Sequence, residues 1–539
     1  MRFLGFVLLW VFSRSVIYAQ KPWYHCTSIY QIYPRSFYDT NGDGIGDIPG
    51  IIQKLDYIRQ LGFETIWISP FFKSPQRDFG YDVSDYRSIA PEYGTTEDAE
   101  RLIREAHARG MRVIFDLVMN HTSIEHPWFT EDVKRKPEDR NVINDYYVWR
   151  DKPNNWRSMV RGSAWHYHPE RAQYYYAAFL PFQPDLNYRN PAVKAAMLEN
   201  VRFWLRKGVD GFRLDIFNSI YEDSLLRDNP RSLNILTQFR RPVYTANLPE
   251  CLQFAEELRA VCDSFGEKLL IGEIIGERST SRKYCGDTVN NRLTLAFNFE
   301  MLRFRFRARY FERLIRNMER DFAAPFMPVY VFSNHDRRRM MSRVKGNVNK
   351  AKLIHAVQFL ARGVPCVYYG EEIGMQDGHL PHKNSLDPIP KYVKLPRCIF
   401  QLLNETLNRD DVRTPMQWDS TKNAGFSACE KTWLPVHKDY RHTNVAKCMR
   451  DTSSLYHFIR QLHLIRPDTT QIKRKRNVLY LNGAILNFNK IRHIREVFTA
   501  DEAVRLYNSR CAPRTAPVKG KEHLYNVWLP PLSVTWVKR

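Results

Sequence analysis

The sequence predicts an α/β protein built on a (β/α)8 barrel, the TIM-barrel fold, with an inserted subdomain after the third strand and a C-terminal all-β domain. Three observations predict it. Eight short apolar runs alternate with helical patterns, which indicates a parallel sheet of barrel size. One connection is too long to be a structureless loop. After Pro467 the helical pattern stops and short alternating segments follow.

The eight predicted strands are each followed by a turn or a helical pattern, as in a barrel. Their carboxyl ends should therefore meet at one rim, where barrels carry their chemistry. The predicted strands are Ser28–Tyr33, Thr65–Ile68, Arg112–Leu117, Gly211–Asp215, Leu269–Glu273, Thr294–Phe297, Val329–Phe332 and Pro365–Tyr369. The predicted helices are Ile51–Leu61, Glu97–Arg109, Val193–Lys207, Leu252–Asp263 and Ala351–Ala361.

The long connection lies between Leu117 and Gly211 and is rich in Trp, Tyr, Pro and Asn. We predict that it folds as a subdomain, residues 120–187, inserted into a barrel of residues 20–119 and 188–467. Segments such as NVLYLNGAILNF predict a C-terminal β-sandwich over residues 468–539.

The first 19 residues resemble a secretory signal peptide. Arg2 precedes an apolar run, Phe3–Phe12, and Ala19 is a suitable cleavage residue. A buried N-terminal strand is the alternative. The run is too short to span a bilayer, and no other segment reaches roughly 18 apolar residues. We expect a secreted protein with no stable membrane insertion.

Nine cysteines are scattered without a CxxC pair, so a zinc site is not expected. The odd number leaves at least one thiol unpaired, and the pairing of the others stays open. Asn404, in an Asn-Glu-Thr sequon, is a candidate glycosylation site.

The formal net charge is +23, which raises the question of an anionic partner. The basic residues are dispersed among acids, and the one dense run, Lys473–Arg476, is better explained as a solvated face. No nucleic-acid-binding module is recognisable, so we expect no nucleic-acid partner. The oligomeric state stays open.

Acidic side chains stand at the ends of several predicted strands. Asp116 lies in the third strand and Asp215 ends the fourth, Glu273 ends the fifth, and Asp336 follows the seventh. One such acid is as easily explained by a structural salt bridge. Acids gathered on one rim are hard to explain by stability, because carboxylates repel one another and lose hydration on burial. We interpret them as catalytic.

Arg213 and Asp215 are two residues apart and so share one face of their strand. A permanent cation beside a carboxylate lowers its pKa, which suits a nucleophile. Glu273 has apolar neighbours, and we expect a less cationic environment that lets it hold a proton. A nucleophile and an acid of this kind are the two carboxylates of glycoside hydrolysis.

Seven motifs in this chain resemble those of the α-amylase family, glycoside hydrolase family 13, and in particular its oligo-1,6-glucosidase, maltase and α-glucosidase subgroup. The resemblance runs from about Trp23 to the C-terminus. The motifs are DLVMNHTS at Asp116–Ser123, QPDLN at Gln183–Asn187, GFRLD at Gly211–Asp215, IGE at Ile271–Glu273, SNHD at Ser333–Asp336, GVPCVYYGEEIGM at Gly363–Met375 and RTPMQWD at Arg413–Asp419.

The resemblance implies a role for each catalytic acid. Asp215 would be the nucleophile that forms a covalent glucosyl-enzyme, and Glu273 the acid and then the base. Asp336 would hold sugar hydroxyls and stabilise the transition state. Retention of the α-configuration would follow from this mechanism.

The resemblance also implies a set of substrate-binding residues. Asp82 would cap the non-reducing glucose and form an ion pair with Arg413, which closes the pocket and makes the enzyme exo-acting. Phe179 and Gln183 would line the pocket from the inserted subdomain, and their alternative role is packing beneath it. The other members of the set are His121, Arg213 and His335.

The loop DTNGDGIGD offers oxygen ligands at alternate positions, a spacing that suits a structural Ca²⁺ ion. It is similar to a loop that holds calcium in many members of the subgroup. A metal-free turn rich in Asp and Asn is the alternative. The candidate ligands are Asp39, Asn41, Asp43, Ile45 and Asp47.

The sequence therefore predicts a secreted, exo-acting, retaining α-glucosidase that acts on short α-linked glucose oligosaccharides. Two alternatives stay open, namely a transglycosylase or sugar isomerase on the same scaffold, and a non-catalytic relative. Ile216 follows the nucleophile, where valine tends to accompany α-1,6 linkages in the subgroup and threonine or alanine α-1,4 linkages. Because Ile216 is β-branched and apolar, isomaltose-type substrates are favoured.

Overall fold

The computed structural model describes residues 22–141, 143–234, 237–393 and 406–466, together with five short C-terminal segments. Eight strands form one all-parallel sheet. They are β1 Ile29–Ile32, β2 Thr65–Ile68, β3 Arg112–Leu117, β4 Gly211–Leu214, β5 Leu269–Glu273, β6 Leu295–Phe297, β7 Val329–Val331 and β8 Val364–Tyr368. Their spatial order is β6-β5-β4-β3-β2-β1-β8-β7, and β6 and β7 also lie side by side. This is the cyclic order of a (β/α)8 barrel, so the predicted fold is confirmed.

Each predicted strand is present, and the ends differ from the prediction by at most one residue at either side. The register places Asp116 of β3 directly beside Arg213 of β4, and Ile271 of β5 on the other side of Arg213. Arg213 is therefore flanked by neighbouring strands at the carboxyl rim of the barrel.

Four of the five predicted helices are present as single helices, the fifth is divided, and several further helices were not predicted, the longest of them Ala308–Asp321. The predicted helix Ile51–Leu61 is two helices, because Lys54 leaves helical geometry at φ −102° and ψ 4°. The helix Ala308–Asp321 was missed, since the alternating Arg and Phe residues before it have the period of a strand. The helices are Ile48–Gln53, Leu55–Leu61, Thr96–Ala108, Pro127–Val133, Pro191–Arg206, Pro249–Asp263, Arg278–Lys283, Ala308–Asp321, Met340–Arg343, Val348–Leu360, Ile389–Tyr392, Val445–Arg450 and Leu455–Ile465.

The connection between β3 and β4 folds as an inserted subdomain. It contains a three-stranded antiparallel sheet made of Trp149–Arg150, Gln173–Tyr176 and Trp165–His168. A small core of its own, centred on Trp156, Trp165 and Tyr176, lies against one side of this sheet. Other buried residues of the insertion, such as Phe129, Tyr147 and Trp149, belong to the main core, so the subdomain packs directly on the barrel. A further hairpin, Phe72–Lys73 with Asp85–Ile89, follows β2.

The described C-terminal segments are all strands, as predicted for an all-β domain. They form one sheet of three strands and one of two. The strands are Tyr480–Asn482, Ala503–Asn508, Arg514–Lys519, Leu524–Leu529 and Ser533–Lys538.

Several sequence predictions fall on residues outside the described ranges. These are the signal peptide, the Asn404 sequon and the basic run Lys473–Arg476. Seven cysteines lie within the described ranges, and all seven are free thiols. Among the described helices, none is both long and apolar enough to cross a membrane.

Candidate active site

Arg213 is the centre of the site at the barrel rim. Its Nη1 donates to Asp116 Oδ1 at 2.8 Å and to Asp215 Oδ1 at 2.7 Å, and its Nη2 donates to Glu273 Oε2. The guanidinium is 2% exposed, so these charges interact in a medium of low polarity. One cation thus holds acids from three adjacent strands, as the strand-end pattern predicted.

The environment of Glu273 differs from the prediction. We expected it to be less cationic than that of Asp215, but both carboxyls bind the same guanidinium, so that interpretation was wrong. Glu273 is 8% exposed. Burial raises its pKa to about 8, Arg213 opposes this, and the negative charges of Asp215 and Asp336 add to it. Glu273 is therefore protonated at neutral pH because of burial and neighbouring acids.

The pKa of Asp215 is also raised, to about 6, because burial outweighs the lowering by Arg213. The expected net lowering was therefore wrong, although the order of the two acids is as predicted. A side-chain hydrogen bond joins the two groups, and it favours the proton on Glu273 and the charge on Asp215. An ionised carboxylate in contact with a neutral carboxylic acid is the arrangement that a nucleophile and its acid partner need.

Asp336 follows β7 and keeps 29% of its side chain exposed, so it can meet a bound molecule. Its Oδ1 accepts from Arg413 Nη2 at 2.9 Å, and its Oδ2 lies 3.1 Å from His335 Nε2. Burial of the carboxyl would raise its pKa, but the hydrogen bond with His335 and the guanidiniums of Arg409 and Arg413 hold the pKa well below its ordinary value. Asp336 is thus a fixed negative charge.

His335 is fully buried and neutral, because burial lowers its pKa to about 4. Its Nδ1 lies 2.7 Å from the Gln31 amide nitrogen, which donates to it, so the proton resides on Nε2. Nε2 can then donate to Tyr81 Oη at 2.5 Å, while Tyr81 Oη donates to Asp116 Oδ2 at 3.3 Å. The two rings are stacked at an interplanar angle of 9°. Tyr81 is a site residue that the sequence reasoning missed.

The predicted ion pair of Asp82 with Arg413 also differs from what the structure shows. Asp82 instead accepts from Ser74 Oγ at 2.9 Å and from the backbone amides of Arg77 and Asp78, so it orders its own loop. The expected pair of Asp82 with Arg413 was therefore wrong. Asp78, four residues earlier in the chain, pairs with Arg409. Arg409 also binds Asp387 at 2.8 Å and approaches Asp336 at 3.4 Å.

Gln183 of the inserted subdomain reaches the pair of Asp78 and Arg409, while the expected contact of Phe179 and Gln183 with substrate stays a prediction. The Gln183 amide donates to Asp78 Oδ2 at 3.2 Å and to the carbonyl of Tyr81 at 3.3 Å. His121 Nε2 lies 3.0 Å from the same carbonyl, and the His121 and Phe179 rings are 5.5 Å apart. Burial lowers the pKa of His121 to about 4, so it is a neutral hydrogen-bonding group.

Ile216, directly after Asp215, has a left-handed backbone with φ 39° and ψ 46°. A β-branched residue rarely adopts this conformation, which costs about 1–3 kcal/mol and is found mainly at functional sites. Its amide faces Glu273 Oε2 at 3.5 Å. The strained turn thus places the backbone N–H of Ile216 next to the Glu273 carboxyl.

The α-amylase catalytic-domain family matches residues 31–475, which include the inserted subdomain and all of the barrel except the start of β1. The chain belongs to the α-amylase family. It is therefore a glycoside hydrolase of family 13, and the resemblance found in the motifs is confirmed.

Known α-amylase-family enzymes resemble the chain over most of its length. A probable α-glucosidase of Rhizobium meliloti is 38% identical and covers 95% of this chain and 94% of its own. An oligo-1,6-glucosidase of Parageobacillus thermoglucosidasius is 37% identical over 83% of this chain and 84% of its own. The crystal structure of an α-glucosyl transfer enzyme has a TM-score of 0.80 at 34% identity, and that of a trehalulose synthase variant 0.82 at 30%. Each aligns with 96% of this chain and 99% of its own.

The candidate calcium loop of this α-amylase-family enzyme lies between β1 and the first helix. Asp39 accepts from the amides of Asn41, Gly42 and Gly44 at 2.8–3.1 Å, and Asp47 accepts from Thr40 and Gly50. The loop is therefore ordered by its own amides. In the described part of the chain, no three acidic, His or Cys side chains converge as a metal site. Calcium binding by the loop therefore stays a prediction, in which the Asn41 side chain and the Ile45 carbonyl would complete the ligand set.

Proposed function

We propose that this enzyme is an exo-acting, retaining α-glucosidase that removes glucose from the non-reducing end of short α-glucosides. The observation that carries the proposal is the contact of a neutral Glu273 with an ionised Asp215 on one guanidinium. Two carboxyls that bind the same guanidinium are near neighbours, and a short separation favours a covalent intermediate over direct inversion.

In the proposed reaction, Asp215 attacks the anomeric carbon of the terminal glucose while Glu273 gives its proton to the leaving oxygen. The C–O bond to the leaving sugar breaks as the bond to Asp215 Oδ forms. A water that enters after the leaving sugar departs gives its proton to Glu273 and displaces Asp215. Glucose leaves with its α-configuration retained.

The buried pair of Asp78 and Arg409 supports exo action. Asp78 is 6% exposed, and Gln183 and Asp387 bind the two members of the pair from opposite sides. A second chain segment could not pass such a cluster, because breaking a buried ion pair costs about 3–5 kcal/mol. The pocket would admit one terminal glucose.

We propose α-1,6-linked substrates as the preferred class. Ile216 directly follows Asp215, lies in the strained turn and is 8% exposed. The oligo-1,6-glucosidase among the relatives is compatible with this, while the Drosophila virilis relative, 39% identical over 82% of this chain and 72% of its own, is a maltase. Secretion also stays a prediction.

A substrate panel tests the proposal. The purified protein should release glucose from 4-nitrophenyl α-glucoside and act faster on isomaltose than on maltose, sucrose or trehalose. Ile216→Thr should raise the ratio of maltose to isomaltose turnover, and Ile216→Val serves as its matched control. Inactivity on every sugar would refute the α-glucosidase, and an unchanged ratio in Ile216→Thr would refute the linkage assignment.

Sugar transfer is the second candidate function, since the similar solved structures include a glucosyl transfer enzyme and a trehalulose synthase. The covalent intermediate is common to both outcomes, and they differ in whether water or a sugar accepts the glucosyl group. Chromatography of products formed from concentrated sucrose separates them. Free glucose and fructose would support hydrolysis, and a rearranged disaccharide would support isomerisation.

A further inference from the structure

A second cavity, of about 530 Å³, lies between the inserted subdomain and the loop that follows β4. Its walls come from Tyr147–Lys152 of the subdomain and Glu222–Leu226 of the loop, and they contain none of the catalytic acids. The volume is within the range of small-molecule sites, roughly 300–1,000 Å³. The family's reaction does not account for this cavity.

Most charged groups around the cavity are already paired within the protein. The pairs are Asp145 with Arg171 at 2.8 Å, Asp223 with Arg227 at 2.6 Å and Arg189 with Glu250 at 3.0 Å. Arg150 donates to the carbonyl of Leu226 at 3.3 Å. These contacts fix the walls, so the cavity is held in shape without a ligand.

Among the acidic residues around the cavity, Glu222 has neither an ion pair nor a hydrogen bond to another side chain within the described ranges. Its side chain is 95% buried, since the residue is only 5% exposed, and it lines the cavity. Within the described ranges, its own backbone amide is the one hydrogen-bond donor recorded for its carboxyl. Burial and the nearby Asp185 raise its pKa well above the ordinary value, which Arg189 opposes. A buried carboxyl whose one recorded donor is its own backbone amide keeps most of its hydrogen-bonding capacity free for a molecule in the cavity.

The chemistry of the walls selects a neutral, hydroxylated ligand. Four basic residues face four acidic ones, so neither a net anion nor a net cation is favoured. Metal binding is disfavoured because no three acidic, His or Cys side chains converge here or elsewhere in the described residues. Leu225, which is 72% exposed, offers an apolar surface suited to the C–H face of a pyranose.

We propose that this cavity is a second sugar-binding site, in which the Glu222 carboxyl hydrogen-bonds the hydroxyls of a mono- or disaccharide. A neutral carboxylic acid both donates and accepts, so it matches a pair of adjacent hydroxyls. Ligand binding would supply the partners that the buried carboxyl lacks. The site is separate from the catalytic acids, and the proposal does not depend on the proposed linkage or on turnover.

Maltose is a suitable probe, and Asp215→Asn is a suitable background because it prevents turnover. Calorimetry should show a two-site isotherm, and crystals soaked in maltose should show sugar in both the catalytic pocket and the second cavity. Adding Glu222→Leu should weaken the second site roughly ten-fold, since it keeps the size of the side chain but removes its hydrogen bonds. Adding Glu222→Gln, a neutral polar control, should leave affinity within about three-fold.

A filling variant, Ser224→Trp at the exposed mouth of the cavity, provides an independent test if Glu222→Leu does not fold. It should abolish the second binding event and leave the first unchanged. A one-site isotherm that neither Glu222→Leu nor Ser224→Trp changes would overturn the proposal, as would two sites that are insensitive to both variants. Inactivity on α-glucosides would refute the proposed function. The binding assay would still test the second site, because it measures binding and not turnover.

Discussion

The acids at the barrel rim and the acids of the loop after β1 have similar sequence signals and opposite surroundings. At the rim, Asp116, Asp215 and Glu273 converge on one buried guanidinium. In the loop, Asp39 and Asp47 each accept hydrogen bonds from nearby amides of the loop itself. Rigid strands bring distant residues together, whereas a short loop satisfies its carboxylates locally.

This difference explains why the rim is reactive. Converging acids in a buried site repel one another and lose hydration, so their pKa values rise and separate. Amide-bound carboxylates already have the partners that stabilise their charge. The rim should therefore control activity, and the loop should control stability at most.

The largest expected effect comes from removing the nucleophile. Asp215→Asn should lower kcat on 4-nitrophenyl α-glucoside by at least about 10⁴-fold, as removal of a covalent nucleophile does elsewhere. The loop variant Asp43→Asn is the matched control and should retain activity within about two-fold. Circular dichroism should show both variants folded. Comparable losses of kcat in Asp215→Asn and Asp43→Asn would contradict the expected difference between the barrel rim and the loop after β1.

Asp78→Asn should lower kcat/KM roughly 10- to 100-fold, the value of one or two charge-assisted hydrogen bonds in a bound state. Asp82→Asn is its control, because Asp82 binds only its own loop and burial already raises its pKa to about 7. Steady-state kinetics and melting temperatures of both variants are the measurements. If Asp82→Asn had the larger effect on KM, the original sequence interpretation would be restored.

The pH dependence tests the electrostatics of the rim. Asp215 must be ionised and Glu273 protonated, so kcat/KM should fall below about pH 6 and again above about pH 8. Beyond each limit the expected change is about ten-fold per pH unit. Activity that persisted to pH 4 would mean that Arg213 outweighs burial at Asp215.

The smallest effect concerns the loop after β1. If calcium orders it, chelation should lower the melting temperature by a few degrees, and calcium should restore it. Asp39→Asn should remove the response, with little change in activity. Equal melting temperatures with chelator and with calcium would argue against a bound ion.

The sequence was informative where side-chain direction follows a regular period. Arg213 and Asp215 were placed together because a strand repeats every two residues, and the register confirmed Asp116 beside them. In loops no such period exists, so Asp82 was chosen where Asp78 makes the contact. Tyr81 was missed for the same reason. Burial is a property of the whole fold, and the pKa of Asp215 was accordingly expected to move in the wrong direction.

The buried pair of Asp78 and Arg409 has a kinetic consequence. In the proposed exo-acting enzyme, a pocket closed at this end would have a single mouth, so the glucose formed would leave the way the substrate entered. The enzyme would then release its substrate chain after each cleavage instead of sliding along it. Glucose and the next substrate would compete for the same entrance, and accumulating product would slow the reaction by occupying it.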